Sequence, residues 1–250
     1  PPTGDEAARL AQTLNRLLER ISESVGKERA FLADASHELR TPVAVLRAEL
    51  EVALRSPSTP DSARGVLESM NEETGRLSRL TDDLLVLARA DAGRMELVRQ
   101  ASDLAAPPDR AVQLLGSLAA RRGVLLSTRL DPAPARIDPD RIAQVAVNLM
   151  ENGIRHTPTG GSVHIETGLG DREAFLSVSD QGPGISDELA PRIFERFSRG
   201  DSARGRESGG TGLGLAIALA IAEAHSGSLT LDERGAQGSR FVLRLPAIAS

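Results

Sequence analysis

His37 is followed directly by Glu38 and, one helical turn on, by Thr41, within Phe31-Leu32-Ala33-Asp34-Ala35-Ser36-His37-Glu38-Leu39-Arg40-Thr41-Pro42. An imidazole with a pKa of about 6.5 is partly neutral at pH 7, and a ring nitrogen can then attack phosphorus. Glu38 can orient that ring or take its proton. His37 stands two residues from both Ala35 and Leu39, roughly 200° round a helix, so its side chain turns away from the apolar stripe that those two belong to. Thr41 shares the face of His37. Pro42 cannot donate to the Glu38 carbonyl, which predicts a bend just past the histidine.

A second set of residues lies more than a hundred positions later, in Asn148-Leu149-Met150-Glu151-Asn152, Asp180-Gln181-Gly182-Pro183-Gly184-Ile185 and Gly209-Gly210-Thr211-Gly212-Leu213-Gly214-Leu215. Asn148 and Asn152 are spaced i, i+4 on one helix face, with Arg155 three residues further. Their neutral amide oxygens can complete a Mg²⁺ shell otherwise made of phosphates and water, and Arg155 adds positive charge for those phosphates. Asp180 ends the apolar run Ala174-Phe175-Leu176-Ser177-Val178. Its carboxylate can accept from the exocyclic amine of adenine, where guanine offers a carbonyl. Gly182 and Gly184 let backbone approach a base. Gly210, Thr211, Gly212, Leu213 and Gly214 open a helix whose first N–H groups can hold phosphate. No Lys-Ser/Thr follows, so this is not a Walker A loop, and no strand directly precedes it, so it is not a dinucleotide fingerprint. Between these blocks, Phe194 and Phe197 suit the anchoring of a lid, with Arg199 near the phosphates; packed core residues are the plainer reading of the two rings.

The other histidines carry less. His164 alternates with Val163 and Ile165, so it faces away from the core of a strand. His225 stands at a helix end before Gly227, where a cation would suit the dipole. Four scattered histidines and no cysteine give no transition-metal spacing, no disulfide and no constraint on redox compartment. A net charge of −5 argues against non-specific nucleic-acid binding, and the lack of Trp and Tyr against stacking on bases. No apolar run is long enough for a transmembrane helix, and the polar opening after Pro1-Pro2-Thr3-Gly4 shows no signal peptide. Lys27 is the sole lysine among 30 basic residues, a compositional bias.

The positioning elements follow from periodicity. Leu10, Leu17, Ser24 and Phe31 repeat every seven residues, as do Leu14, Ile21, Glu28 and Ala35, and the stripe continues through Leu39, Val43, Leu46 and Leu50. This predicts one long helix over about 5–55. Ser56-Pro57-Ser58-Thr59-Pro60-Asp61 breaks it and caps a second helix to about Ala90, with Leu67, Met70, Thr74, Leu77, Thr81, Leu84 and Ala88 on one face. Such a hairpin cannot bury its apolar stripe alone, and two of them make a four-helix bundle, hence a homodimer. From about Met95 the texture changes. Strand-like runs at Val124–Leu130, Val163–Thr167, Ala174–Val178, Ser228–Asp232 and Arg240–Leu245 alternate with helical stretches near 104–121, 139–156 and 212–225. That predicts a separate α/β domain on a mixed sheet. Gly200 to Gly210, rich in Gly, Ser and Arg, reads as a mobile loop.

The histidine segment and the three later blocks, in this order, resemble the sensor histidine kinases of two-component signalling. The resemblance implies an α-helical hairpin dimerisation domain, a four-helix bundle in the dimer, followed by an α/β sandwich ATP-binding domain of the gyrase, chaperone and histidine-kinase type. It implies boundaries at 1–26 for the end of a HAMP signalling helix, which the stretch Gly4 to Leu18 resembles, 27–92 for dimerisation and histidine phosphotransfer, and 93–250 for ATP binding. It also implies ATP and Mg²⁺ as cofactors, with Asn148 and Asn152 at the metal. His156, Ile185 and Leu213 join the nucleotide site. Autophosphorylation of His37 is followed by transfer to an aspartate of a response regulator. Thr41 positions water for the reverse, phosphatase activity. By the same resemblance the chain is the cytoplasmic portion of an inner-membrane bacterial receptor, reaching the membrane only through a preceding N-terminal part. In the related ATPases a glutamate stands one turn before the essential asparagine as general base; here that position is Asn148, and an amide cannot take the proton. A hydrolytic ATPase of this fold and a catalytically silent dimeric scaffold are the alternatives.

Overall fold

The computed structural model describes residues 8–9, 12–14, 35, 38–39, 41–51, 53, 60–170, 172–198, 211–234 and 238–248. Most of the opening stretch, His37, the expected helix break at 56–59, Arg199 and the Gly/Ser/Arg-rich run to Gly210 lie outside these residues. The bend expected at Pro42 involves Arg40 and lies outside them too. The chain divides into two compact units, Pro1–Leu80 and Thr81–Ser250.

In the first unit, residues 41–51 are helical (α1), and Glu38, Leu39 and Thr41 have helical backbone. Helix α2 is Pro60–Asp91, 32 residues long, and runs on into the second unit. Ser69 Oγ donates to Glu49 Oε1 at 2.7 Å, tying α1 to α2. Ion pairs at i, i+4, Arg47–Glu51 and Arg64–Glu68, line the solvent side and add a few tenths of a kcal/mol each. Among the described side chains of α2, Leu80 and Leu87 are buried within the single chain, at 3% and 1% exposure, whereas Leu67 is 66% exposed. On α1, Val43 and Leu50 are likewise exposed, at 53% and 46%. Of the expected α2 stripe, Met70, Leu77 and Leu84 are half-buried in the single chain and Leu67 is exposed, in line with a hairpin that cannot bury its apolar stripe alone.

The second unit holds a five-stranded sheet in the order β2-β4-β5-β7-β6 and a two-stranded ribbon β1-β3. The strands are β1 Gln100–Asp103, β2 Leu125–Leu130, β3 Pro134–Ile137, β4 Ser162–Leu169, β5 Glu173–Asp180, β6 Ser228–Arg234 and β7 Ser239–Pro246. β2 runs parallel to β4, and the other pairs are antiparallel, so the sheet is mixed as the sequence predicts. Helices α3 (Ala106–Arg122), α4 (Pro139–His156) and α5 (Gly214–Ala224) complete the unit. The core is where their apolar stripes meet the inward side chains of the strands: Ile142, Val145, Leu149, Met150 and Ile154 of α4, Ile217 and Ile221 of α5, and Val163, Ile165, Leu176, Val178 and Leu243 of the sheet, all at most 1% exposed. His164 points the other way, as alternation requires, and its Nδ1 lies 3.0 Å from Ser127 Oγ. Phe194 packs edge-on against buried Phe241, ring centroids 6.1 Å apart. The plainer reading of that ring, core packing, is the one the fold uses.

Candidate nucleotide site

Helix α4 is the main scaffold. Asp138 caps its start, with Oδ1 accepting from the N–H groups of Asp140 and Arg141 at 3.2 Å, and Pro139 occupies the first helical position. At the other end the Thr157 N–H closes on the Gly153 carbonyl. With Leu149, Met150, Gly153 and Ile154 buried, Asn148, Asn152 and Arg155 are left half-buried on the adjoining face. Asn148 donates from Nδ2 to the carbonyl of Gly214, the first residue of α5, at 3.1 Å. Its Oδ1 is therefore the atom left to accept or coordinate. Asn152 forms no side-chain hydrogen bond among the described residues.

Asp180 ends β5, opposite Val163 on one side and Ser239 on the other. It is 9% exposed. Burial pushes its carboxyl above the usual carboxylate range, while hydrogen bonds from the backbone N–H groups of Gly182 and Ser239 pull the other way. Gly182 donates to Asp180 Oδ1 at 2.8 Å. A Cβ on Gly182 would lie 2.7 Å from that oxygen and 3.1 Å from the His156 carbonyl, so only glycine lets the end of α4 and the end of β5 meet. The His156 ring keeps one edge in solvent. Burial of the rest, then the cations Arg155 and Arg122, hold its pKa below the ordinary imidazole value. Gly184, at φ 77°, and Ile185 continue the segment that leaves Asp180.

The third block lies at the start of α5. Phe197 and Gly212 both adopt left-handed backbone, at φ 57° and 71°. The Phe197 N–H donates to the Gly212 carbonyl at 2.9 Å, and a Cβ on Gly212 would stand 2.9 Å from the Phe197 Cα. These two residues thus bring the two ends of the intervening segment together. Thr211 Oγ1 accepts from the Leu213 N–H at 3.3 Å, and Leu213 is fully buried. The first N–H groups of α5 have no partner within their helix and present a positive dipole end beside Asn148. Just before this segment, Arg196 forms an ion pair with Asp91 at the end of α2.

The fold thus gathers Asn148, Asn152, Arg155, His156, Asp180, Gly182, Thr211, Gly212, Leu213 and Gly214 onto α4, the end of β5 and the start of α5. Glu38 and Thr41 belong to the other unit, Glu38 half-buried and Thr41 exposed. His37, Arg199 and Gly210 lie outside the described residues. Sequence reasoning missed Ser239, whose only signal is its place at the start of an apolar strand. It also misread His225. That residue is 3% exposed, and burial is the main cause holding its pKa below the ordinary value, so it is no exposed helix-end cation. Its partner Asp138 lies 87 residues away, beyond any local pattern.

Comparison with known proteins identifies two matched regions in this chain. The family described as Histidine kinase-, DNA gyrase B-, and HSP90-like ATPase matches residues 137–249, and the His Kinase A (phospho-acceptor) domain matches 27–93. The signal transduction histidine-protein kinase BaeS of Escherichia coli K12 is 38% identical over 249 residues, 98% of this chain and 52% of BaeS. Sensor protein IrlS of Burkholderia pseudomallei is 37% identical over 248 residues, 99% of this chain and 53% of IrlS. The chain thus spans about half the length of the curated relatives it matches. Among solved structures, the Acinetobacter baumannii histidine kinase AdeS superposes with a TM-score of 0.71 at 26% identity, covering 85% of this chain and 98% of that one. Full-length ShkA, solved in complex with AMPPNP, gives 0.65 at 26% identity, covering 88% of this chain and 46% of that one. With a phospho-acceptor region and an ATP-binding region matched in the same order on one chain, this protein belongs to the sensor histidine kinases of two-component systems.

Proposed function

We propose that this chain transfers the γ-phosphoryl group of ATP to His37 and passes it to an aspartate of a response regulator. The observation that supports the reading is the pairing, on one chain, of a phospho-acceptor region that includes position 37 with an ATPase-family region, together with an amide, Asn148, at the position where the resemblance implies a glutamate in the related ATPases. Without a carboxylate there, water has no base, and the imidazole is the nucleophile left. The binding of AMPPNP by ShkA supports an adenine nucleotide in the corresponding fold here.

Asp180 accepts from the adenine amine, and the backbone at Gly182 and Gly184 flanks the base. The N–H groups opening α5 and the guanidinium of Arg155 hold the phosphates, with Arg199 completing the charge. The donor set at Asn148 and Asn152 fits Mg²⁺. Both are hard, neutral oxygen ligands, and the bond from Asn148 Nδ2 to the Gly214 carbonyl holds the amide while leaving its oxygen available. A magnesium ion there supplies charge neutralisation on the phosphates. A ring nitrogen of His37 attacks the γ-phosphorus, the bond to the β–γ bridging oxygen breaks, and ADP leaves with that electron pair. Glu38 orients the ring or takes its proton. In the reverse, phosphatase direction Thr41 holds the attacking water.

The working division is residues 1–26 as the end of a HAMP helix, 27–92 as the dimerisation and phosphotransfer domain and 93–250 as the ATP-binding domain. The exposed Val43, Leu50 and Leu67 support a homodimeric four-helix bundle. No helix among the described residues is long and apolar enough to cross a membrane. Attachment to the inner membrane, as in a membrane receptor, is proposed from the resemblance to the sensor kinases alone. Incubation with γ-labelled ATP tests the reading. Acid-labile label on the wild type and none on His37→Gln, with nucleotide affinity unchanged, is the expected result. Release of free phosphate without protein label would instead make it an ATPase.

A further inference from the structure

The two helices of the nucleotide site are joined at both ends. Near the phosphate end the strut is Asn148 to Gly214. The other strut is His225, just past the last residue of α5, against Asp138, the cap of α4. The two struts stand ten residues apart along α4, or about 15 Å. They hold α5 antiparallel on α4 and stop it pivoting about either point.

The His225 strut also catches the segment arriving from α2. Asp138 Oδ2 accepts from the Val98 N–H at 3.0 Å, and the Arg99 guanidinium donates to the Ala224 carbonyl at the end of α5. The roles of the ring nitrogens are fixed by their partners. Nδ1 lies 2.8 Å from the Ile221 carbonyl, which can only accept, so Nδ1 carries the proton. Nε2 lies 3.0 Å from the Asp138 N–H, which can only donate, so Nε2 offers its lone pair. An imidazolium would set an N–H against an N–H in a site only 3% exposed. We propose that His225 is a positioning residue for the kinase reaction, fastening the segment from α2 and both nucleotide helices into one body, and that it does so only as the neutral, Nδ1-protonated ring.

The charged groups that face the ring are Asp138 from α4 and Arg99 from the incoming segment. Burial lowers the pKa most; the Ile221 carbonyl raises it, Arg99 lowers it and Asp138 raises it, leaving it below the ordinary value. The unfolded chain therefore takes up the proton first as pH falls. The stability the strut contributes is complete above about 6.5 and is lost as pH drops toward the depressed native value. Released, α5 pivots on Asn148 and the phosphate-facing N–H groups lose their aim.

The proposal rests on the nucleotide-site reading above, and the test uses ADP binding to the full 250-residue chain, so it does not depend on phosphoryl transfer. Nitrogen NMR should find the His225 proton on Nδ1. His225→Gln places a non-titrating acceptor at the Nε2 position and should keep wild-type ADP affinity at pH 8. His225→Asn reaches only the Ile221 carbonyl; it should lose affinity about tenfold, or roughly 1.4 kcal/mol, and speed exchange of the Val98 and Asp138 amides. Acidification to about pH 5.5, below the ordinary imidazole range, should weaken ADP binding more in wild type than in His225→Gln. An equal acid loss in the two, or a proton on Nε2, would overturn the proposal, as would a folded His225→Asn with wild-type affinity. If His225→Asn does not fold, the acid comparison with His225→Gln decides alone. A wild type that binds ADP but takes up no label refutes the kinase reading and leaves the strut to be judged by these binding results.

Discussion

Asp180 sets binding against stability at a single side chain. Its carboxyl is held above the usual range by burial, so the folded chain binds that proton more tightly than the unfolded one. Stability then falls as pH rises from about 3.9, the unfolded value, through the native one. Asp180→Asn removes that cost, and the nucleotide-free variant should melt no lower than wild type at neutral pH. An amide has one acceptor oxygen for the Gly182 N–H, the Ser239 N–H and the adenine amine, where the carboxylate has two. ATP affinity should therefore drop ten- to a hundredfold, about 1.5–3 kcal/mol. Calorimetry of binding and of unfolding on the same variant reads both effects, and a variant that lost stability but kept affinity would remove Asp180 from the site. Thr41 divides the activities differently. Thr41 is exposed and stands four residues after His37, and on the proposed reading its hydroxyl holds water for the phosphatase reaction. Thr41→Ala should autophosphorylate normally but clear phosphorylated regulator slowly; equal loss of both rates would reduce Thr41 to support of the helix at Pro42.

At the scale of elements, the base of the segment between Phe197 and Gly212 depends on one close backbone approach. Gly212→Ala forces a side chain into left-handed backbone, at about 1–2 kcal/mol, and drives its Cβ against the Phe197 Cα. Cooperative unfolding should persist, because the core beneath α5 is untouched, while ATP affinity falls at least about tenfold, equivalent to 1.4 kcal/mol. Retained affinity would mean that the two ends need not meet. The larger elements of this unit were legible because their apolar residues repeat at strand or helix period. Five strand-like runs became β2, β4, β5, β6 and β7, and the stretches near 104–121, 139–156 and 212–225 became α3, α4 and α5. The β1-β3 ribbon was not legible. Gln100-Ala-Ser-Asp103 is polar and mostly exposed, and becomes a strand only because Pro134–Ile137 pairs with it. Of the site, Asn148, Asp180 and the glycines were readable from residue type and spacing. The hydrogen bond of Asn148 to Gly214, 66 residues on, was not, since no local pattern encodes it.

For the molecule as a whole, the apolar surface left on α1 and α2 predicts association. Val43, Leu50 and Leu67 are each about half exposed or more in a single chain. A charge at Leu67 should convert a dimer to monomer in sedimentation equilibrium while leaving ADP binding in the other unit unchanged. A wild type that sediments as a monomer would remove the bundle and with it the inference from these side chains. The sheet order has a consequence for how the protein is made. Strand β7, residues 239–246, is inserted between β5 and β6, and Ser239 stands beside Asp180. While the chain is still being synthesised, everything up to Arg234 can emerge without a partner for the inner edge of either neighbouring strand. Nascent helices α1 and α2 can already pair by then, since domains fold as they emerge. The nucleotide pocket, in contrast, is finished only when residues 239–246 arrive, so a ribosome-bound or prematurely terminated product could assemble its bundle yet have no competent ATP domain with which to send a signal.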